Sequence, residues 1–360
     1  MKSVYFVVGA RPQFIKAAPV LEAMKAFVNI TVKLIHTGQH YDYNLSEVFF
    51  QELKIPAPDY QLNCGSGTSV EQYVSILQKL SEVLRNDKPD MLVVFGDTNS
   101  TGAASLCANL MGIKLAHVES GLREFDKNIP EEINKIVTDA LSDLYFCPTQ
   151  TAVDFLNKSN ISGKIILSGD PVLDLLFANK SKFEDIKILE KFNLEKGKYI
   201  FATCHRQNNT NNRSALESIL KIFAAAPLPV LFPLHPRTKK AIVEFDLSNY
   251  LEHTNIHIIE PIGFWETQSL IANCEKVLTD SGGVIKEAYF HGKYVIVLDK
   301  QTEWVEVINE ERGFVCGPDF DLASKYLKHQ ITNEPLKHTL GKGDASKIIS
   351  KGISDYLLGI

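Results

Sequence analysis

The chain carries no Cys-x-x-Cys pair, no His-Glu-x-x-His, no Gly-x-Gly-x-x-Gly and no Gly-Lys-Ser/Thr loop. Those absences remove the usual signatures of a zinc site, a dinucleotide fold and a Walker phosphate loop. Its six cysteines (Cys64, Cys107, Cys147, Cys204, Cys274, Cys316) are scattered. Such spacing fits reduced thiols rather than a disulfide frame. No apolar run approaches the length of a membrane span. The run Tyr5 to Val8 is too short for a signal-peptide core. A formal charge of -5 makes no general case for nucleic acid or an anionic membrane as partner. A cytoplasmic protein without nucleic-acid or membrane partners is therefore expected.

What is present is an α/β pattern long enough for two domains. The chain has 360 residues, 45% of them apolar. Strand candidates in the first half are VYFVVG, TVKLIHTG, MLVVFGD, KLAHVES, LYFCP and KIILSG; in the second, YIFATCH, PVLFPLH, NIHIIEP, KVLTDSG and YVIVLD. Most are continuously apolar and alternate with helical patterns, which predicts parallel sheets covered on both faces. The pattern restarts near Tyr199. Two doubly wound domains follow, residues 1–168 and 169–344. Polar residues gather just after the strands, where open parallel sheets bind ligands: Arg11, Gln39-His40, Asp97, Glu119, His205-Arg206, His235 and Ser281-Gly282-Gly283. Two sheets with such ends point to an interdomain cleft.

TDSGGVIKEA is the clearest phosphate candidate. Ser281 and the amides of Gly282 and Gly283 would open a helix whose N-terminus favours an anion, and Glu287, one turn on, could accept from ribose hydroxyls. The plain alternative is that Asp280 or Ser281 only caps the helix. Asp97 and Glu119 end two strands, and Glu131 and Glu132 follow in PEEINK. Carboxylates placed so suit acid–base work. Glu119 directly after LAHV is costly in a buried strand unless paired or used. Pro130-Glu131-Glu132 also reads as an ordinary helix start. His205-Arg206 and His235/Arg237 end successive strands; histidine suits proton transfer or phosphate contact, and arginine suits phosphate.

The ordered set GARPQFIKAAPV, HTGQHYD, GDTNST, HVESGLR, PEEINK, HR, PLHP, TDSGG and QTEWVE spans nearly the whole chain. It resembles the non-hydrolysing UDP-N-acetylglucosamine 2-epimerases. The resemblance implies a GT-B fold: two facing Rossmann-like, doubly wound parallel-sheet domains with an interdomain cleft. It also implies a homodimer, and a last helix from about 345–360 that rejoins the first domain. It assigns Asp97, Glu119, Glu131 and His205 to catalysis. Arg11, Lys16, His235, Arg237, Ser281, Gly282, Gly283, Glu287 and Glu303 become substrate contacts. Gln39 and His40 match a motif that helps hold a second, regulatory UDP-sugar. Gln13 stands where the family often has Glu, and Trp304-Val305 where many members have Arg-Pro. These forms resemble a branch that includes epimerases of modified UDP-sugars.

The implied reaction explains the residue types. The hydrogen on carbon 2 of a ring-closed amino sugar has no adjoining carbonyl to acidify it. Breaking the bond from carbon 1 to UDP makes it labile. A carboxylate removes it to give a glycal-like intermediate, and re-addition from the other face inverts the centre. No metal or redox cofactor is expected. The expected function is interconversion of UDP-GlcNAc and UDP-ManNAc for surface polysaccharide precursors. Alternatives are a 2-epimerase of a modified sugar such as UDP-2,3-diacetamido-glucuronic acid, a hydrolysing 2-epimerase, a GT-B glycosyltransferase and a non-catalytic UDP-sugar sensor.

Overall fold

The computed structural model describes residues 1–39, 50–184, 187–329 and 335–360. The chain divides into one unit formed by Met1–Ala178 with His338–Ile360, and a second formed by Asn179–Lys337.

In the first unit, strand β1 (Lys2–Val8) leads to helix α1 (Arg11–Met24), then β2 (Ile30–His36), β3 (Tyr60–Gln61) and α2 (Ser69–Asn86). Next come β4 (Met91–Phe95), α3 (Asn99–Leu110), β5 (Lys114–Val118), α4 (Pro130–Leu141), β6 (Leu144–Cys147), α5 (Gln150–Lys158), β7 (Lys164–Leu167) and α6 (Pro171–Ala178). The strands lie side by side in the order β3-β2-β1-β4-β5-β6-β7, all parallel. One sheet face packs Tyr5, Val7, Leu92, Val94 and Leu115 against Leu80 and Leu84 of α2 and Ala104, Cys107 and Ala108 of α3. Each fully buried aliphatic chain of this kind contributes roughly 1.5–3 kcal/mol. Because both faces are covered, β4 reads MLVVF with no polar alternation.

The second unit contains β8 (Ile200–Thr203), α7 (Arg213–Ala224), β9 (Val230–Pro233), α8 (Pro236–Glu244), β10 (Ile256–Ile259) and α9 (Phe264–Asn273). It continues with β11 (Lys276–Thr279), α10 (Gly282–Phe290), β12 (Tyr294–Val297), α11 (Val305–Asn309) and β13 (Gly313–Val315). The order is β10-β9-β8-β11-β12-β13, again parallel. Each sheet therefore begins at its centre and reverses direction once, between β1 and β4 and between β8 and β11. Those reversals are where a doubly wound sheet opens a crevice. All eleven apolar runs read from the sequence are strands. The two-residue β3 and three-residue β13 are additions, too short to leave a periodic signal.

The final helix, α12 (Ala345–Leu358), packs in the first unit against α1 and α6. Its own N-cap, Asp344, makes no capping bond. Asp174 of α6 does that work from elsewhere in the chain: its carboxylate accepts from the Ala345 N–H (3.1 Å), the Ser346 N–H (2.6 Å) and the Ser346 hydroxyl (2.5 Å). Burial raises the Asp174 carboxyl above its ordinary range, against the opposing pull of those donors.

Candidate active site

In the first unit the site residues converge where β1 and β4 end. Gln13 organises the first turn. Its side-chain oxygen accepts from Gly9 N–H (2.7 Å) and Ala10 N–H (3.1 Å), and its amide donates to Phe95 C=O (3.0 Å) and Thr101 Oγ1 (2.9 Å). All four capacities of the buried amide are used. The turn that presents Arg11 at the start of α1 is thereby bonded to the end of β4. Arg11 is half-buried, and Pro12 in the first turn removes an N–H that a helix start leaves spare.

One turn into α1, buried Lys16 forms an ion pair with buried Glu119, which follows β5 directly. Glu119 holds a left-handed backbone, φ +70°. For a side chain that conformation costs of order 1–3 kcal/mol, and its N–H is fixed to Phe146 C=O at 3.0 Å. Between them passes Gly96, at φ +60°, where an added Cβ would lie 2.9 Å from Lys16 Nζ. The left-handed φ, more than the contact with that flexible ammonium, favours glycine here. Asp97 comes next. Its carboxylate lies 3.5 Å from Lys135 Nζ on α4, a buried ammonium also 3.9 Å from Glu124. Its C=O accepts from Asn134 Nδ2 at 2.8 Å, and Asn134 is in turn bonded to the Tyr73 hydroxyl. The two carboxylates on neighbouring strand ends are thus each matched with a buried lysine.

The paired glutamates of PEEINK separate. Glu132 is buried and accepts from Glu124 N–H at 2.8 Å, which makes it structural. Glu131 lies exposed on the first turn of α4. Gln39 is buried and accepts from Ser100 N–H (3.2 Å) and Ser100 Oγ (2.7 Å) at the start of α3. His40 lies outside the described residues.

In the second unit the candidates meet where β8 and β11 end. Asp280 does not cap α10. Its carboxylate turns back to accept from His205 N–H (3.0 Å), Arg206 N–H (2.9 Å) and Asn209 Nδ2 (3.0 Å), which fixes the His-Arg turn. Ser281 occupies the N-cap position with no side-chain capping bond, so α10 opens on Gly282 and Gly283 without a side-chain cap. A Cβ on Gly282 would lie 2.9 Å from Glu303 Oε1, 3.6 Å from Trp304 Nε1 and 3.7 Å from Arg206 Nη2. These polar groups therefore ring the helix start. The Arg206 guanidinium also pairs with Asp299 at 3.0 Å. Glu287 sits one turn along α10, nearly buried. Trp304 is buried, and its indole N–H has no partner among the described residues.

The rings of His205 and His235 lie 5.3 Å apart. His235 Nδ1 accepts from the Arg237 N–H at 3.1 Å, so its proton sits on Nε2. His235 is exposed on its outer side; the partial desolvation of its ring, then the neighbouring His205 and Arg237 charges, pushes it down to about 4. His235 is therefore neutral near pH 7. Arg237 is exposed at the start of α8, its guanidinium 3.5 Å from His205 C=O. Among the described residues, no group of three or more His, Cys, Asp or Glu side chains is placed to hold a metal ion.

Sequence reasoning passed over several residues that shape the site: Asn134, Lys135, Asp280 as a turn anchor, and the buried trio His117, Asp139 and Arg123. His117 Nδ1 lies 2.7 Å from Asp139 Oδ1 and its Nε2 lies 2.8 Å from Gly96 C=O. Arg123 Nη1 lies 2.7 Å from Asp139 Oδ2. Their signal was an ionisable residue inside an apolar run: His117 in KLAHV, Asp139 in IVTDAL.

A model of the UDP-N-acetylglucosamine 2-epimerase family matches residues 22–354. The chain is 41% identical over 345 residues to a UDP-N-acetylglucosamine 2-epimerase homolog of Methanococcus maripaludis, covering 94% of this chain and 96% of the relative. It is 40% identical over 355 residues to the UDP-2,3-diacetamido-2,3-dideoxy-D-glucuronate 2-epimerase of Pseudomonas aeruginosa, covering 96% and 97%. Among solved structures, the Methanocaldococcus jannaschii UDP-GlcNAc 2-epimerase in complex with UDP-GlcNAc and UDP superposes with a TM-score of 0.90 at 36% identity, covering 98% of this chain and 99% of that one. The Neisseria meningitidis UDP-GlcNAc 2-epimerase bound to UDP-GlcNAc gives 0.87 at 30% identity, covering 99% and 100%. With a family model matched over residues 22–354 and relatives of this identity and coverage, the chain belongs to the UDP-N-acetylglucosamine 2-epimerase family.

Proposed function

We propose that the protein is a non-hydrolysing UDP-sugar 2-epimerase that interconverts UDP-GlcNAc and UDP-ManNAc. The observation that carries this reading is the placement of Asp97 and Glu119 on adjacent strand ends, each beside a buried lysine. Two carboxylates held in different environments can divide proton removal and proton return. Glu131 completes the catalytic set. The uncapped start of α10, with Ser281, Gly282 and Gly283, holds the diphosphate as its negative charge grows, and Arg11 is a further substrate contact. Glu287 accepts from the ribose, and Glu303 faces the sugar. Lys16, His235 and Arg237 are further substrate contacts, and His205 assists the leaving phosphate. The chemistry proceeds by loss of UDP to a glycal-like intermediate and re-addition. Gln39 and His40 belong to a second, regulatory UDP-sugar site. The enzyme works as a cytoplasmic homodimer that supplies precursors of surface polysaccharide. In the described residues no helix is long and apolar enough to cross a membrane.

A second reading, epimerisation of a modified UDP-sugar such as a diacetamido-uronic acid, is favoured by Trp304 standing where the family often has Arg, and by the P. aeruginosa relative. Incubation with a panel of UDP-HexNAc and UDP-acetamido-uronic acids in deuterated water, followed by proton NMR, decides between them. Inverted product with deuterium at carbon 2 and no free sugar supports the mechanism. Product without deuterium rules out solvent-exchanging proton abstraction; accumulation of free sugar and UDP indicates hydrolysis.

A further inference from the structure

We propose that His117 and Asp139 form a charged positioning pair that locks together the two backbone turns carrying Asp97 and Glu119. This inference rests on the assignment of those two carboxylates to the reaction.

Both ring nitrogens of buried His117 face acceptors: the Asp139 carboxylate at 2.7 Å and the Gly96 C=O at 2.8 Å. A neutral imidazole has one donor and one acceptor nitrogen. Donation at both positions therefore makes this ring an imidazolium. The bond to Gly96 falls on the peptide group immediately before Asp97. Gly96 N–H meanwhile donates to Val118 C=O at 2.9 Å. The other oxygen of Asp139 accepts from Gly121 N–H at 3.1 Å, just beyond Glu119. Gly121, at φ +81°, and Glu119, at φ +70°, make that turn conformationally unusual. One carboxylate thus reaches the Asp97 turn through His117 and the Glu119 turn directly.

The neighbours from each packed element are Arg123, paired with Asp139 at 2.7 Å, then Tyr145, whose hydroxyl donates to Asp139 C=O at 2.6 Å, and Cys147. Lys16, Glu119 and Asp97 lie beyond the Gly96 turn. Burial pushes the Asp139 carboxyl up, but the bonds and charges of His117 and Arg123 outweigh it and hold it below its ordinary range. The pair places a fixed positive charge behind the Asp97 peptide and leaves substrate contact to other groups. His117 and Asp139 are positioning residues.

The test uses the full chain with 15N-labelled histidine. The ring signals absent from H117Q identify His117, with D139N as second marker. Because both nitrogens face acceptors, both should carry a proton in the folded enzyme under assay conditions; one unprotonated nitrogen overturns the charged pair. Hydrogen exchange over residues 94–99 and 118–123 should quicken together in D139N, and failure of either segment to respond overturns the lock. Neither readout depends on activity, so both judge the pair even if the epimerase reading fails. Kinetically, H117Q and D139N should each slow deuterium incorporation at carbon 2 by about 10–100-fold, the cost of a small misplacement, with KM within about twofold. Their double variant should be no slower than the worse single one. Losing the cation should move the acidic limb of kcat/KM to higher pH in H117Q. Additive losses, or losses that merely follow the folded fraction with an unmoved pH profile, refute positioning.

Discussion

Glu119→Gln separates chemistry from stability when it is read beside Lys16. The two side chains are buried as an ion pair. Removing one partner of such a pair leaves a charge uncompensated, at about 3–5 kcal/mol. Lys16→Met should therefore lower Tm by roughly 6–20 °C, at about 2–4 °C per kcal/mol for a unit of this size. Glu119→Gln should lose less, because its amide oxygen can still accept from Lys16. The combined variant K16M/E119Q removes both charges, and replacing a buried pair outright is often close to neutral. Its Tm should return toward that of the wild type. Turnover should not return. A positioned proton-transfer group is worth about 10²–10⁴-fold, which is about 2.7–5.5 kcal/mol of barrier. Deuterium incorporation at carbon 2 measures that term, and thermal melts of the same preparations measure the other. If turnover recovers in the double variant in step with Tm, Glu119 is a structural residue and the proton-transfer assignment falls.

Other expectations follow from single features of the site. Arg11→Ala should raise KM for the UDP-sugar or slow turnover by about tenfold or more, since charged contacts to a diphosphate are among the stronger hydrogen bonds; unchanged kinetics would remove Arg11 from the site. Gly96→Ala must hold φ +60° with a Cβ 2.9 Å from Lys16 Nζ, so a loss of at least about 1 kcal/mol should appear in denaturant melts, and a neutral result would show that the turn relaxes. For His235 the sign is that of a depressed base. The unfolded chain binds the proton first, so stability falls as pH drops from the ordinary range near 6.5 toward about 4. NMR titration should find the ring neutral at pH 6, and a midpoint near 6.5 would contradict the desolvation argument.

The parallel sheets were legible because two-sided burial writes continuous apolar runs, as in MLVVF and YVIV. The placement of polar residues after those runs was legible for the same reason: a strand that stops being apolar has reached the edge of the core. Contacts that depend on which carboxylate turns which way were hidden. Glu131 and Glu132 are neighbours in sequence, yet the helix sends one to solvent and the other into the protein. Asp280 stands where a cap is expected, and its oxygens go instead to the backbone of a strand end some 75 residues earlier. Lys135 and Asp139 sit one turn apart on α4 and look like ordinary helix charges. Both are buried because α4 packs beside α3 near the ends of β4 and β5. Gln13 drew notice only as a departure from a family pattern; its four hydrogen bonds give the departure a physical content.

The capping of α12 by Asp174 bears on the order in which the protein matures. The first unit begins at residue 1, but its last piece is made after the whole of the second unit. During synthesis Asp174 is committed to the interior long before Ala345 and Ser346 exist to donate to it. Until they arrive, that carboxylate and the neighbouring surface of α1 and α6 stand open. The second unit, being a contiguous stretch, can close on the ribosome; the first must wait until Ala345–Leu358 has been made. Truncation at the far C-terminus would accordingly injure the N-terminal unit, whereas an excised fragment 179–337 would keep all of its own strands.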